Sequence, residues 1–226
     1  MTCGIIIPAA GQGKRMGIGI NKQFIKIHDK PILIHTVEKF MNIDWITEIV
    51  VVAHPDEMMI VESMFLEYGL SIKAIVPGGL ERQDSIYNGL SVLETEYVMV
   101  HDGARPFIKE KQLNLLWEAV QKNGSAVLGV PVKETIKVVD EQGLVISTPN
   151  RKSLWSIQTP QAFILSTLKM AYEQAYQDRF LGTDDASLVE RMQIEIQVVE
   201  GDYQNIKITT PEDLIVANTI LEHWSE

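Results

Sequence analysis

Apolar residues along this chain alternate between two rhythms. Short, nearly continuous β-branched runs recur at 4–8, 46–53, 72–76, 97–101, 126–130 and 194–199, and each predicts a buried strand. Between most of them the apolar positions shift to helical spacing, which predicts helices over 32–41, 57–68, 85–93 and 111–122. Further helices are expected over 166–176, 184–191 and 211–222. The last has a marked start: Thr210 can cap it, Pro211 suits its first position, and Asp213 stands three residues after the cap. Alternation of this kind predicts an α/β fold, a mostly parallel sheet with helices on both faces.

One stretch breaks the alternation. Two β-prone runs, 135–139 and 144–147, flank the polar turn Asp140-Glu141-Gln142-Gly143 and predict a protruding β-hairpin arm over about 132–153. An isolated two-stranded hairpin is marginal in water. The arm is therefore expected to pack against something, and a second copy of the chain is the simplest partner. No internal repeat, low-complexity tract or linker interrupts the pattern, and 226 residues at 46% hydrophobic suit a single domain spanning 1–226.

Composition narrows the setting. Cys3 is the only cysteine, so there is neither a disulfide framework nor a CxxC metal spacing, which fits a reducing cytoplasm. The early apolar run Ile5 to Ile7 is too short for a signal peptide or a membrane span, so a soluble, unexported protein is expected. A formal net charge of −10 argues against a broad nucleic-acid surface, because polyanion binding neutralises many phosphates at once. Any anionic ligand must meet a local cluster of cations. The histidines at 28, 35, 54, 101 and 223 show no HxxxH or HExxH spacing, so no zinc site is expected and the five read as structural.

The first strand runs into Pro8-Ala9-Ala10-Gly11-Gln12-Gly13-Lys14-Arg15-Met16-Gly17. Small residues and two cations at the carboxyl end of a buried strand stand where an α/β sheet binds ligands, and glycines let backbone N–H groups approach phosphate oxygens. A sharp turn without a ligand would need the same glycines. Two familiar nucleotide motifs fail here. A Walker loop needs Ser or Thr where Arg15 stands, and the dinucleotide fingerprint needs a third Gly or Ala where Met16 stands.

The full pattern is more specific. Ala9 to Met16 followed by Asn21-Lys22-Gln23-Phe24 resembles the signature of sugar-nucleotide pyrophosphorylases and cytidylyltransferases. Further blocks, Gly78 to Ser85, His101 to Phe107 and Pro131 to Lys137, are similar to the 2-C-methyl-D-erythritol 4-phosphate cytidylyltransferase family. So are Gln158 to Gln161, Gly182 to Ser187 and Asn205 to Thr209, and the blocks run in order over nearly the whole chain. The resemblance implies a Rossmann-like nucleotidyltransferase sheet and a homodimer with an interlocking arm. It also implies transfer of CMP from CTP to methylerythritol phosphate, with Mg²⁺ and release of pyrophosphate. Ribitol-5-phosphate cytidylyltransferases share much of the pattern, but Ala10 and Ala104 favour the methylerythritol family. A nucleotide-binding protein without turnover would have no need to keep Arg15, Lys22, Asp102, Arg151 and Lys207.

That chemistry needs charge more than proton transfer. A phosphate nucleophile is already ionised, so the obstacle is an anion attacking the α-phosphate of a polyanion. By the resemblance, Arg15 and Lys22 stabilise the transition state, and backbone N–H groups of Ala9, Ala10, Gly11 and Gly13 hold the triphosphate. Arg151 and Lys207 position the sugar phosphate, with Arg105, Thr135, Thr159 and Thr183 lining its pocket and Thr135 reaching a partner chain from the arm. Gly78, Gly79 and Ser85 surround the cytosine. Asp102, at the end of the apolar run 97–100, is the expected Mg²⁺ ligand, since Mg²⁺ can take one protein carboxylate and fill its shell with phosphate and water. Several of these residues also have plainer readings: Lys22 as a solvated lysine, Asp102 as a turn residue before Gly103, and Thr159 and Thr183 as turn or cap residues. Asp184 and Asp185 read as helix capping rather than a carboxylate pair.

Overall fold

The computed structural model describes residues 1–11 and 21–224. Gly13, Lys14 and Arg15 of the glycine-rich loop lie outside the described residues.

A seven-stranded sheet organises the chain. Its main parallel run is β1 (Cys3–Pro8), β4 (Ile46–Ala53), β5 (Ala74–Pro77) and β6 (Tyr97–Val100), preceded in part by a small hairpin of β2 (Lys26–Ile27) and β3 (Lys30–Pro31). Next come β7 (Ser125–Pro131), the short pair β8 (Val138–Val139) and β9 (Val145–Ser147), then β10 (Trp155–Ile164) and β11 (Gln197–Glu200). The order across the sheet is β11-β7-β10-β6-β1-β4-β5. Only β10 runs antiparallel, between β7 and β6, and it is the one strand of the main sheet that the hydrophobic pattern does not announce. Its sequence, Trp-Ser-Ile-Gln-Thr-Pro-Gln-Ala-Phe-Ile, carries a central proline, which ordinarily argues against an interior strand. Pairing with β7 shifts register between Ile157 and Gln161, and Pro160 sits in that irregularity, where no ladder hydrogen bond is asked of it.

Alternation along the strands distributes the core to both faces. Ile5, Ile7, Val51 and Met99 meet α1 (Ile32–Met41), α2 (Met58–Glu67) and α4 (Glu110–Asn123) through Leu33, Phe40, Phe65, Leu116 and Val120. Ile6, Val50, Val100 and Phe163 meet α3 (Arg82–Ser91), α5 (Leu165–Gln177) and α6 (Asp185–Glu190) through Ile86, Leu90, Leu168, Tyr172 and Leu188. Cys3 belongs to the first face and is fully buried. Gly124 ends α4 at φ +79, a left-handed conformation that costs a side-chain-bearing residue, and its N–H closes on the Val120 carbonyl at 2.8 Å. The last helix, α7 (Pro211–Glu222), starts where the sequence places it, with Thr210 and Asp213 forming a reciprocal capping box. It covers a smaller apolar cluster of Ile27, Ile32, Ala104, Phe107, Ile208 and Ala217.

The arm also forms as a hairpin, with β8 and β9 antiparallel, though its paired part is shorter than the β-prone runs. Leu144, Val145 and Ile146 are 63%, 59% and 65% exposed.

Candidate active site

Three loops at the carboxyl edge of the sheet are stitched together by backbone hydrogen bonds. Ala9 N–H donates to the Val52 carbonyl at 2.7 Å, Gly78 N–H to the Ala53 carbonyl at 2.8 Å, and Gly103 N–H to the Pro8 carbonyl at 3.3 Å. They enclose a cleft of about 200 Å³ whose lining includes Ala9, Ala10, Gly11, Lys22, Gly79 and Asp102. Gly78 lies so close to this wall that a Cβ there would collide with the Ala10 methyl, which accounts for glycine at this position. The Ser85 hydroxyl accepts from Gly79 N–H and donates to the Glu81 carbonyl, both at 3.1 Å, so Ser85 shapes the Gly79 turn. Lys22 opens a single helical turn, Lys22–Phe24, that faces the cleft. The amides on either side, those of Asn21 and Gln23, both bond the Glu57 carboxylate and anchor that turn.

Asp102 is the electrostatic centre. Its Oδ2 meets Lys207 Nζ at 2.9 Å and Arg105 Nε at 3.2 Å, while Oδ1 lies 3.9 Å from Arg82 Nε. Burial works against its charge, but Lys207, Arg82 and Arg105 outweigh burial and hold the carboxyl well below the usual carboxylate range. Lys207 is delivered by its neighbour: Ile208 is buried under α7, and its N–H donates to the Ala104 carbonyl at 2.9 Å. The Arg105 guanidinium is also fixed from behind by the Asn205 carbonyl at 2.7 Å. Three cations converge on Asp102, and even with Arg82 shared with Asp185 they leave an excess of positive charge beside the cleft, as a polyphosphate requires.

Two parts of this arrangement escape the sequence reading. Arg82 is given no role by it, yet Arg82 bridges Asp102 and the fully buried Asp185, whose Oδ2 it meets at 2.7 Å. Burial disfavours the Arg82 charge, but Asp185 and Asp102 reverse the balance and hold its pKa above the ordinary value. Tyr172 Oη donates to the other Asp185 oxygen at 2.5 Å. The capping reading therefore fits Asp184, which caps α6 through Ser187 N–H at 2.9 Å, and misses Asp185. One signal was available: Arg82 is the first residue of α3, where a cation opposes the helix dipole, a local misfit of the kind functional sites carry. The second is the set of partners of His101: the ring is buried, as its structural reading expects, and it bonds both Thr159 and the Arg105 carbonyl.

The remaining expected residues scatter. Thr159 is buried, and its hydroxyl is occupied by Asp102 N–H and His101 rather than facing the cleft. Thr183 is exposed and borders a small hollow on the far side of Arg82. Thr135 and Arg151 are exposed on the arm, and an Arg151 guanidinium N–H donates to the Lys133 carbonyl at 2.7 Å. Neither lines the cleft of its own chain.

Among the described residues, no group of three or more His, Cys, Asp or Glu side chains could hold a metal ion. Asp102 Oδ1, with Arg82 only at 3.9 Å, can offer a single oxygen. That suits a divalent cation whose other ligands are phosphate and water.

Residues 3–223 match a family model described as 2-C-methyl-D-erythritol 4-phosphate cytidylyltransferase. The chain belongs to that family. A 2-C-methyl-D-erythritol 4-phosphate cytidylyltransferase of Halalkalibacterium halodurans is 48% identical over 223 residues, covering 98% of this chain and 97% of the relative. One from Desulforamulus reducens is 43% identical, covering 98% and 97%. The crystal structure of 4-diphosphocytidyl-2C-methyl-D-erythritol synthase from Anaerococcus prevotii superposes with a TM-score of 0.87 at 34% identity, covering 98% of each chain. The cytidylyltransferase family and the mostly parallel sheet agree with the fold expected from sequence.

Proposed function

We propose that this cytidylyltransferase transfers CMP from CTP to 2-C-methyl-D-erythritol 4-phosphate, giving 4-diphosphocytidyl-2-C-methyl-D-erythritol and pyrophosphate. The observation that carries the reading is the cleft itself. Backbone at Ala9 to Gly11 and the Lys22 cation face an Asp102 carboxylate on which Lys207, Arg105 and Arg82 converge.

In this mechanism a phosphate oxygen of the sugar alcohol attacks the α-phosphorus of CTP, one P–O bond forms, and the bond to the β-phosphate oxygen breaks as pyrophosphate leaves. No proton has to be removed from the nucleophile. Lys22, with Arg15, neutralises charge gathering on the α-phosphoryl oxygens in transit. Backbone N–H groups of Ala10, Gly11 and Gly13 bind the triphosphate, whereas the Ala9 N–H, expected to join them, is taken by the Val52 carbonyl; the turn at Gly78, Gly79 and Ser85 borders the base. Lys207 and Arg105 orient the incoming phosphate, their positions fixed by Asp102 and Asn205. Asp102 Oδ1 would hold Mg²⁺, which when bound would supply positive charge against that of the leaving pyrophosphate.

The reading extends to a cytoplasmic homodimer joined through the arm. Exposed apolar side chains on β8 and β9 support a partner there, and Thr135 and Arg151 would then serve a partner's cleft. A lone buried thiol fits a reducing compartment. Among the described residues, no helix is long and apolar enough to cross a membrane.

Pyrophosphate release from CTP and Mg²⁺ tests the assignment, with methylerythritol phosphate and ribitol 5-phosphate supplied in parallel. Turnover with the first substrate alone supports it. Turnover with ribitol 5-phosphate alone, or silence with both, overturns it.

A further inference from the structure

We propose that His101 is a positioning residue for this reaction, its buried ring fixing the turn from which Asp102 and Arg105 enter the cleft. The proposal rests on the cytidylyl-transfer reading above.

His101 follows β6 directly, its N–H donating to the Ile6 carbonyl at 2.9 Å, and the residue is 0% exposed, so the ring cannot touch substrate. Its Nε2 lies 2.9 Å from the Arg105 carbonyl and its Nδ1 lies 3.2 Å from Thr159 Oγ1. A carbonyl only accepts, so Nε2 carries the proton. In a neutral ring Nδ1 is then an acceptor, and the Thr159 hydroxyl must donate to it. That orientation turns the Thr159 lone pairs toward Asp102 N–H, which donates to Oγ1 at 3.0 Å. Arg105 N–H closes the circuit on the Asp102 carbonyl at 3.0 Å.

Every donor in the circuit therefore points the same way, from Asp102 through Thr159 and His101 to Arg105 and back. One tautomer satisfies all four bonds. A carbonyl acceptor at Nε2 and a hydroxyl donor at Nδ1 together satisfy both nitrogens of the neutral ring, the form this circuit needs. The Phe40 ring packs edge-on against His101, centroids 5.0 Å apart at 65°, and fixes the imidazole plane. Asp102 sets the positions of Lys207 and Arg105, so a shift of this turn would move the cations that meet phosphate. Near-attack geometry is sensitive on the ångström scale.

A side chain that only filled space would be replaceable by any group of similar volume. His101→Leu fills the site with neither hydrogen bond. His101→Gln can place an amide N–H near the Nε2 position and keep the bond to Arg105, whereas His101→Asn can place a carbonyl near Nδ1 and keep the bond from Thr159. Thr159→Val removes the hydroxyl at nearly constant shape and serves if the His101 variants fold poorly.

Steady-state kinetics of these variants with CTP and methylerythritol phosphate provide the test, alongside a nitrogen-15 spectrum of the histidine rings. The expected result is a fall of roughly tenfold or more in kcat for His101→Leu with a much smaller change in KM for CTP. Gln and Asn should fall between it and the wild type. Thr159→Val should lower kcat in the same way, and the Leu/Val double variant should be no worse than the poorer single one, because both break one circuit. The ring spectrum should show protonated Nε2 and bare Nδ1. Wild-type kcat in a folded His101→Leu, additive losses in the double variant, or the opposite tautomer would each overturn the positioning role while wild-type turnover stood. Silence of the wild type with these substrates would instead overturn the reading of the reaction, and the proposal with it.

Discussion

The cleft and the arm solve opposite problems with the same chain. In the cleft, charged side chains are held by partners drawn from across the fold: Asp102 by Lys207, Arg82 and Arg105, Arg82 by Asp185, Arg105 by Asn205. On the arm, apolar side chains stand in the open, and polar ones such as Lys137 bond neighbours on the arm itself, here Thr148 at 2.7 Å. The charged side chains of the cleft find their partners within one chain, whereas the apolar side chains of the arm are left exposed, as the proposed dimer would require. This difference separates the residues that meet in the cleft from Thr135 and Arg151, which line no part of it in their own chain.

The comparison breaks first if the cleft is not the reacting centre. Lys22→Ala should lower turnover by about 10²- to 10³-fold, the scale of one preorganised charge-stabilising group, as read by pyrophosphate release. Near-normal turnover would move the chemistry elsewhere. Next in size is the support behind the cleft. Asp185→Ala strands the Arg82 guanidinium and the Tyr172 hydroxyl, and should cost about 3 kcal/mol in urea unfolding, the low end for a broken buried pair because Arg82 is partly open to solvent.

On the arm, Val145→Asp with Ile146→Asp should leave unfolding in urea little changed but weaken self-association by roughly 30-fold or more, seen by sedimentation velocity. An unchanged sedimentation profile would mean that the exposed apolar surface does not join two chains. The smallest effect concerns pH. His101 has its pKa lowered from 6.5 to about 4 in the folded state, so the unfolded chain binds the extra proton first. The associated stability is present above pH 6.5 and is lost as pH falls toward 4. Without nucleotide or metal, this single group should remove about 1 kcal/mol between pH 6.5 and 5.5, and His101→Gln should flatten the slope measured by thermal melts.

How much of this was legible in the sequence follows from the range of each interaction. Strands and helices whose apolar rhythm is local, such as Ile46–Ala53, Ile32–Met41 and Pro211–Glu222, stand where the rhythm puts them. β10 was hidden because its polar residues and Pro160 serve long-range demands: Gln161 bonds Asp184 at 2.7 Å and Ala186 N–H at 2.9 Å, and Thr159 bonds Asp102 and His101. The small hairpin at β2 and β3 was hidden because His28 and Asp29 take positive φ values, 46 and 64, in place of the Asn-Gly that would have signalled such a turn. Cations near the cleft could be named from motifs. Arg82 and Asp185, 103 residues apart, become partners only when α3 and α6 pack on the same face, and no spacing rule encodes that.

Cys3 carries a practical consequence. The chain's single thiol is fully buried, and burial pushes its pKa far above the ordinary value, so the native surface offers no reactive thiol. A cysteine introduced at Gln142, on the exposed tip of the arm, would be the sole target for a spin label or fluorophore. The native protein already supplies the silent background that such labelling experiments usually have to engineer.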